Sequence, residues 1–198
     1  ASFTVNAGGT AAVLSGTNAL NMFDMNFTDI FGTDILNTFW DEIPQGNSEF
    51  NYNGAAGLYA NVTSTGSNAW LNIENADAVG NTNGGFNITM TALHEVAGNF
   101  HQVDANDNGA TGINAVLNGG SGAPDTLDFW LSDVRTIDNG GNGINVTATN
   151  YNGNVEIGGE RIVATLNTVN GVRVNATGPA VLTLDFGGGA LGSLGQSS

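Results

Sequence analysis

Five segments of this chain echo one another: Gly57-Leu-Tyr-Ala-Asn-Val-Thr63, Gly85-Phe-Asn-Ile-Thr89, Gly112-Ile-Asn-Ala-Val116, Gly143-Ile-Asn-Val-Thr147 and Gly171-Val-Arg-Val-Asn175. Their leading glycines are 28, 27, 31 and 28 residues apart, and Asn87, Asn114 and Asn145 occupy the same place in their units. Text rich in Asx and Gly precedes most units. Asp107–Asn114 and Asp138–Asn145 both read D-N-G-x-x-G-I-N. A repeat of this length confines the fold to units that pair or stack. Each unit reads as a turn, a short strand, a loop and one or two more strands. Asn and Gly suit the turns because both tolerate positive φ. Ile, Val, Phe and Thr suit the strands. Period-two alternation marks Leu127–Leu131, Ile162–Leu166 and Val172–Ala176, which predicts one buried and one wet face.

Two architectures accommodate such units. In a β-sandwich or jelly roll each unit is a hairpin-like strand pair. In a β-solenoid each unit is one coil of roughly 28 residues, and matching Asn positions stack as a ladder. The uneven spacing and low identity between units favour the sandwich, so the expectation is a mainly β, sandwich-like or jelly-roll-like domain, with the solenoid as the alternative.

Residues 17–45 follow a different rhythm. Leu20, Phe23, Phe27, Ile30, Phe31, Ile35, Phe39 and Trp40 recur at three- and four-residue steps, which predicts one or two short core-packing helices ending at Pro44 and Gly46. A further helical turn is expected over Thr91–Phe100, where Leu93, Val96 and Phe100 would share a face. The chain then divides into an extended segment 1–16, a single β domain 17–186 and a Gly-rich tail 187–198. The tail has the composition of a disordered terminus unless a neighbouring subunit holds it.

Composition narrows where such a chain works. It has no Lys and no Cys, and three Arg stand against 18 Asp and Glu, a formal net charge of −15. Disulfides are excluded, so stability must come from sheet pairing, packing, assembly or bound ions. So large a negative charge excludes nucleic acid as a partner and favours hard cations. No stretch reaches the ~18 apolar residues of a membrane-spanning helix, so no membrane insertion is expected. A start at Ala1 without Met fits a mature, exported chain. The eight Asn-Gly pairs argue against a hyperthermophilic source. Sequons at Asn26, Asn61, Asn87, Asn145 and Asn175 are the glycosylation candidates.

Few constellations carry chemistry. Asp104, Asn106 and Asn108, followed by Gly109, match the first half of a calcium loop of the D-x-[DN]-x-[DN]-G type, but Ala115 replaces the bidentate Glu of an EF-hand. Calcium is therefore the one candidate cofactor. His94 and His101 are the only histidines and would share a helical face with Glu95, a weak metal or haem pattern. Glu156 and Glu160 flank Gly158-Gly159, which predicts a bulge or turn rather than a glycosidase pair. No nucleophile elbow or phosphate loop is present. Trp70, Trp130 and Tyr151 could line a carbohydrate platform.

The leading expectation is a secreted, extracellular or cell-surface structural subunit, not an enzyme. It would polymerise with copies of itself into a filament, surface layer or biofilm-matrix fibre. Strand addition would join the copies, with Phe3, Val5, Val13 and Leu14 setting register. The alternative is a secreted, calcium-assisted carbohydrate-binding module or adhesin. In its lack of Lys and Cys and its Gly/Asn-rich strands the composition resembles bacterial surface and matrix proteins in general, a likeness that transfers no site residues.

Overall fold

The computed structural model describes residues 2–5, 12–17, 19–22, 48–63, 68–120, 126–178, 181–191 and 194–197. In chain order the strands are β1 (Ser2–Val5), β2 (Ala12–Thr17), β3 (Ala19–Met22), β4 (Ser48–Glu49), β5 (Leu58–Thr63), β6 (Asn68–Asp77), β7 (Phe86–Thr91), β8 (Glu95–Asp104) and β9 (Ile113–Asn118). They continue as β10 (Thr126–Arg135), β11 (Ile144–Thr149), β12 (Asn154–Glu160), β13 (Val163–Ala164), β14 (Val172–Ala176), β15 (Val181–Gly187), β16 (Ala190–Leu191) and β17 (Leu194–Ser197). One sheet runs β1-β2-β5-β7-β9-β11-β14-β17 and the other β15-β12-β10-β8-β6-β3. All pairings are parallel except that of β1 with β2.

This is a β-solenoid of about four turns, not a sandwich. The chain alternates between sheets, and each strand pairs with its equivalent one coil later. A sandwich of hairpins would make antiparallel neighbours within each unit. Here Leu58 lies beside Phe86, Phe86 beside Ile113, Ile113 beside Ile144 and Ile144 beside Val172. The glycine spacings of the sequence are therefore the lengths of successive coils.

Thr91–Phe100 is not helical: it ends β7, turns and enters β8. Within 17–45, residues 19–22 form β3, and residues 23–45 lie outside the described residues. No helix occurs among the described residues.

Each coil has three sides. Inward positions run 69, 71, 73 and then 76 in β6, and 96, 98, 100 and then 103 in β8. In β10 they run 127, 129, 131 and then 134. The one-residue slip falls at Asn75, Gln102 and Asp133, whose φ values are 49°, 54° and 54°. Arg161 (φ 52°) holds the same place between β12 and β13. A stacked column of left-handed residues thus turns each long strand through a corner, at a cost Asn and Asp bear better than most side chains.

The core is a set of columns along the solenoid axis. Between the two sheets, Phe50, Phe86, Phe100 and Phe129 form a run of edge-on and tilted ring contacts with centroids 6.1, 6.1 and 5.6 Å apart, each worth ~0.5–1.5 kcal/mol beyond burial. Gly98 takes an inward position because a Cβ there would lie 2.6 Å from the Phe129 ring. Gly158 and Gly159 form neither a bulge nor a turn. They lie inside β12, and a Cβ on Gly158 would meet the Trp130 indole at 2.6 Å.

Another corner is built by asparagine. Asn53, Asn81, Asn108, Asn139 and Asn167 stack in successive coils. The backbone N–H and the side-chain Nδ2 of each donate to Oδ1 of the next: 2.9 and 2.8 Å from Asn53 to Asn81, 3.0 and 2.9 Å from Asn81 to Asn108. The distances are 3.0 and 3.0 Å from Asn108 to Asn139, and 3.0 and 2.9 Å from Asn139 to Asn167. Nδ2 of Asn108, Asn139 and Asn167 also donates to the carbonyls of Ala78, Ala105 and Thr136. Four residues after each of these Asn comes a repeat glycine. A Cβ on Gly112 would sit 2.9 Å from the Asn139 amide, and one on Gly143 would sit 2.5 Å from that of Asn167. Asn and Gly are thus two halves of one packing requirement.

Candidate assembly edge

Among the described residues, the second sheet stops at a strand with a neighbour on one side only. β15 pairs with β12 on one side and is the last strand of its sheet. Its inward side chains Leu182, Leu184 and Phe186 continue the columns of Val155, Ile157 and Gly159. Val155 and Ile157 are fully buried, whereas the three on β15 are only partly so. β16 and β17 end the other two sides, and both belong to the tail 187–198.

Protein edges are ordinarily blunted by Lys, Pro, bulges or inward charges. β15 reads VLTLDFG: it has no Lys, and its one charge, Asp185, faces outward and exposed. With no second partner strand among the described residues, a row of backbone donors and acceptors beside half-exposed Leu and Phe is a template for another strand. The opposite end differs. There β1 folds back antiparallel on β2, with Phe3 opposite Leu14, Thr4 opposite Val13 and Val5 opposite Ala12. Of the four residues expected to set register, Phe3 and Leu14 are thus register partners of each other, while Val13 lies opposite Thr4 and Val5 opposite Ala12.

The calcium candidates are each held by a protein donor. Oδ1 of buried Asn108 accepts from Asn81. Asn106 Oδ1 accepts the Ile137 N–H at 2.8 Å. Asp104 faces Arg135 at 3.3 Å. Burial holds the Asp104 carboxyl above its ordinary pKa, Arg135 opposes that, and Asp77, one coil away, adds to it. No group of three or more His, Cys, Asp or Glu is poised for a metal among the described residues.

His94 and His101 sit at opposite ends of an extended stretch, roughly 20 Å apart. His101 Nδ1 lies 2.8 Å from Ser132 Oγ and 3.8 Å from Asp133. The three arginines stitch neighbouring coils: Arg135 to Asp104, Arg173 to Asn145, and Arg161 to Asp133 through two bonds of 2.6 and 2.7 Å. The Arg161 fork holds the Asp133 carboxyl below its ordinary pKa.

Among the sequons, Asn61, Asn87, Asn145 and Asn175 all occupy outward positions on the first sheet, and Asn26 lies outside the described residues. Asn145 Nδ2 donates to Asn114 Oδ1 at 2.8 Å, an outer ladder that a glycan there would have to break. Trp70 and Trp130 are exposed on the second sheet, while Tyr151 is buried elsewhere.

Sequence reasoning missed the inner Asn ladder and the corner residues. The signal for the ladder was legible: Asn53, Asn81, Asn108, Asn139 and Asn167 each stand four positions before a repeat glycine.

No helix of the described residues is long and apolar enough to cross a membrane. Compared with protein-family models, curated proteins and solved structures, the chain matches none closely enough to mark a relative.

Proposed function

We propose that this chain is an extracellular structural subunit that polymerises head to tail into a filament, surface layer or matrix fibre. The open edge of β15, with Leu182, Leu184 and Phe186 half-covered beside it, carries the reading. A second copy would dock the end that holds β1–β4 on this edge and extend both sheets. Contact between two different ends is heterologous, so it does not close on itself and yields open filaments. The fold favours this mode, because a solenoid end already has the spacing and register of the coil that would follow it. Phe3, Val5, Val13 and Leu14 would form part of the receiving end. Calcium, if used, would act between subunits rather than within the Asn108 corner.

The test compares the chain with Leu184→Lys, which puts a charge on the inward side of the edge. Sedimentation velocity and negative-stain microscopy should find polymers of the parent chain and monomers of the variant, with unchanged circular dichroism. A compact monomer at high concentration for the parent chain, with or without calcium, refutes the proposal.

A further inference from the structure

On the second sheet, two exposed indoles line one shallow cleft. Trp70 is 47% and Trp130 38% exposed, unusual for the largest apolar side chains. They are sixty positions apart in sequence, two coils plus two residues. Register places Trp70 beside Ala97 and then Asp128, and Asn72 beside Asn99 and then Trp130. The walls are therefore β6 and β10, and the floor is β8. The cleft encloses about 290 Å³, near the lower end of the ~300–1,000 Å³ typical of small-molecule sites. The small Ala97 leaves it open, while Trp130 extends over Gly158, where any side chain would collide with the indole.

Its polar groups are already oriented. Asn99 Nδ2 donates to Asn72 Oδ1 at 2.7 Å, and Asn72 Nδ2 donates to Glu74 Oε1 at 3.0 Å. This relay fixes both amides and leaves Asn99 Oδ1 as an acceptor. Asp128 makes no ion pair among the described residues. The cleft offers two apolar ring faces and a small set of fixed acceptors, with no cation.

We infer that this cleft binds a neutral oligosaccharide of at least two pyranose units. A pyranose presents a C–H face that packs on an indole and an equatorial hydroxyl rim that donates to carboxylate and amide oxygens. The two indoles are two strands apart and offset by two residues, roughly 12 Å between Cα positions on ~4.8 Å strand and ~3.3 Å residue spacings. That is too far to clamp one ring and suits separate units of one chain running diagonally over Ala97 and Asn99. The absence of Lys and Arg from the lining and a formal net charge of −15 exclude anionic glycans. This inference is independent of polymerisation, because the cleft lies on the side of the solenoid and not at its ends.

Tryptophan fluorescence and calorimetry with a panel of soluble neutral pentasaccharides (gluco-, manno- and N-acetylglucosamine-type) test it, with tetramethylammonium as the competing cationic probe. The Leu184→Lys variant serves as a second background for the same titrations. At least one pentasaccharide should give saturable binding in both backgrounds. Trp70→Ala and Trp130→Ala should each weaken it at least tenfold, and Ala97→Gln, which fills the floor, should abolish it at an unchanged melting temperature. Failure of every pentasaccharide to bind, binding undiminished in these variants, or saturation by tetramethylammonium alone would overturn the inference.

Discussion

Replacing Asn108 by Ala removes the centre of the inner ladder. The amide accepts from Asn81 N–H and Asn81 Nδ2, and donates to the Ala78 carbonyl and to Asn139 Oδ1. Truncation leaves the Asn81 N–H and the Ala78 carbonyl without these partners in a corner where Asn108 is 2% exposed. A buried polar group stripped of its partner costs ~1–3 kcal/mol, so the two backbone groups together cost about 2–6 kcal/mol. For a chain near 200 residues that lowers Tm by roughly 4–24 °C, at ~2–4 °C per kcal/mol. Asn53 is the internal control. It heads the ladder, is only half-buried, and its side chain contributes one bond, to Asn81 at 2.8 Å. Asn53→Ala should therefore cost under about 1 kcal/mol. Solenoids do not always unfold in one step, so hydrogen exchange supplements the melt: the Asn81 amide should lose protection in Asn108→Ala before amides of β11 and β14 do. Equal costs for the two variants, or a loss below about 0.5 kcal/mol for Asn108→Ala, would refute the ladder as a principal source of stability.

Other perturbations follow from single positions. Leu166 is 77% exposed at φ 59°, so Leu166→Gly should raise stability by up to about 1 kcal/mol in denaturant titrations. Thr136 is buried with no partner for its hydroxyl, so Thr136→Val, of similar shape, should raise stability by about 1 kcal/mol. Asp104 holds its proton more tightly folded than unfolded, so its ionisation lowers stability as pH rises through the folded pKa, and Asp104→Asn should be more stabilising at pH 7 than below its ordinary pKa. Asp133 has the opposite sign: its stabilising pairing with Arg161 is present at neutral pH and lost as pH falls through the depressed folded pKa. A chelator should leave the Tm of the subunit unchanged, and a fall of several degrees would restore calcium to Asp104, Asn106 and Asn108.

Much of this architecture was written in the glycine spacing, yet the spacing alone favoured the commoner sandwich. The coils resemble one another mainly at one corner, where the Asn amide of one coil fills the space a Cβ on the preceding coil's glycine would take. Elsewhere the columns conserve volume rather than identity: Gly98 lies beneath the Phe129 ring, and small Ala115 stands between Ile88 and Val146. The same substitution hid β8. Val96 and Phe100 are inward neighbours of Gly98 at period two, but a glycine shows no hydrophobicity, so the spacing read as helical. Stacked left-handed residues at Asn75, Gln102 and Asp133 broke the alternation again. Trp70 and Trp130 could be paired only once coil length was known, and Tyr151, grouped with them by residue type, is buried elsewhere. The open edge had no local signature, because Leu182, Leu184 and Phe186 alternate like any half-buried strand. Only the absence of a following coil in the described fold distinguishes them.

Fibre diffraction from concentrated, aligned protein measures the central claim directly. Coils stacked end to end across subunits should give polymers with a meridional reflection near ~4.8 Å, the strand spacing along the solenoid axis. Polymers lacking that reflection, or a solution of monomers that never aligns, would contradict head-to-tail continuation of the sheets.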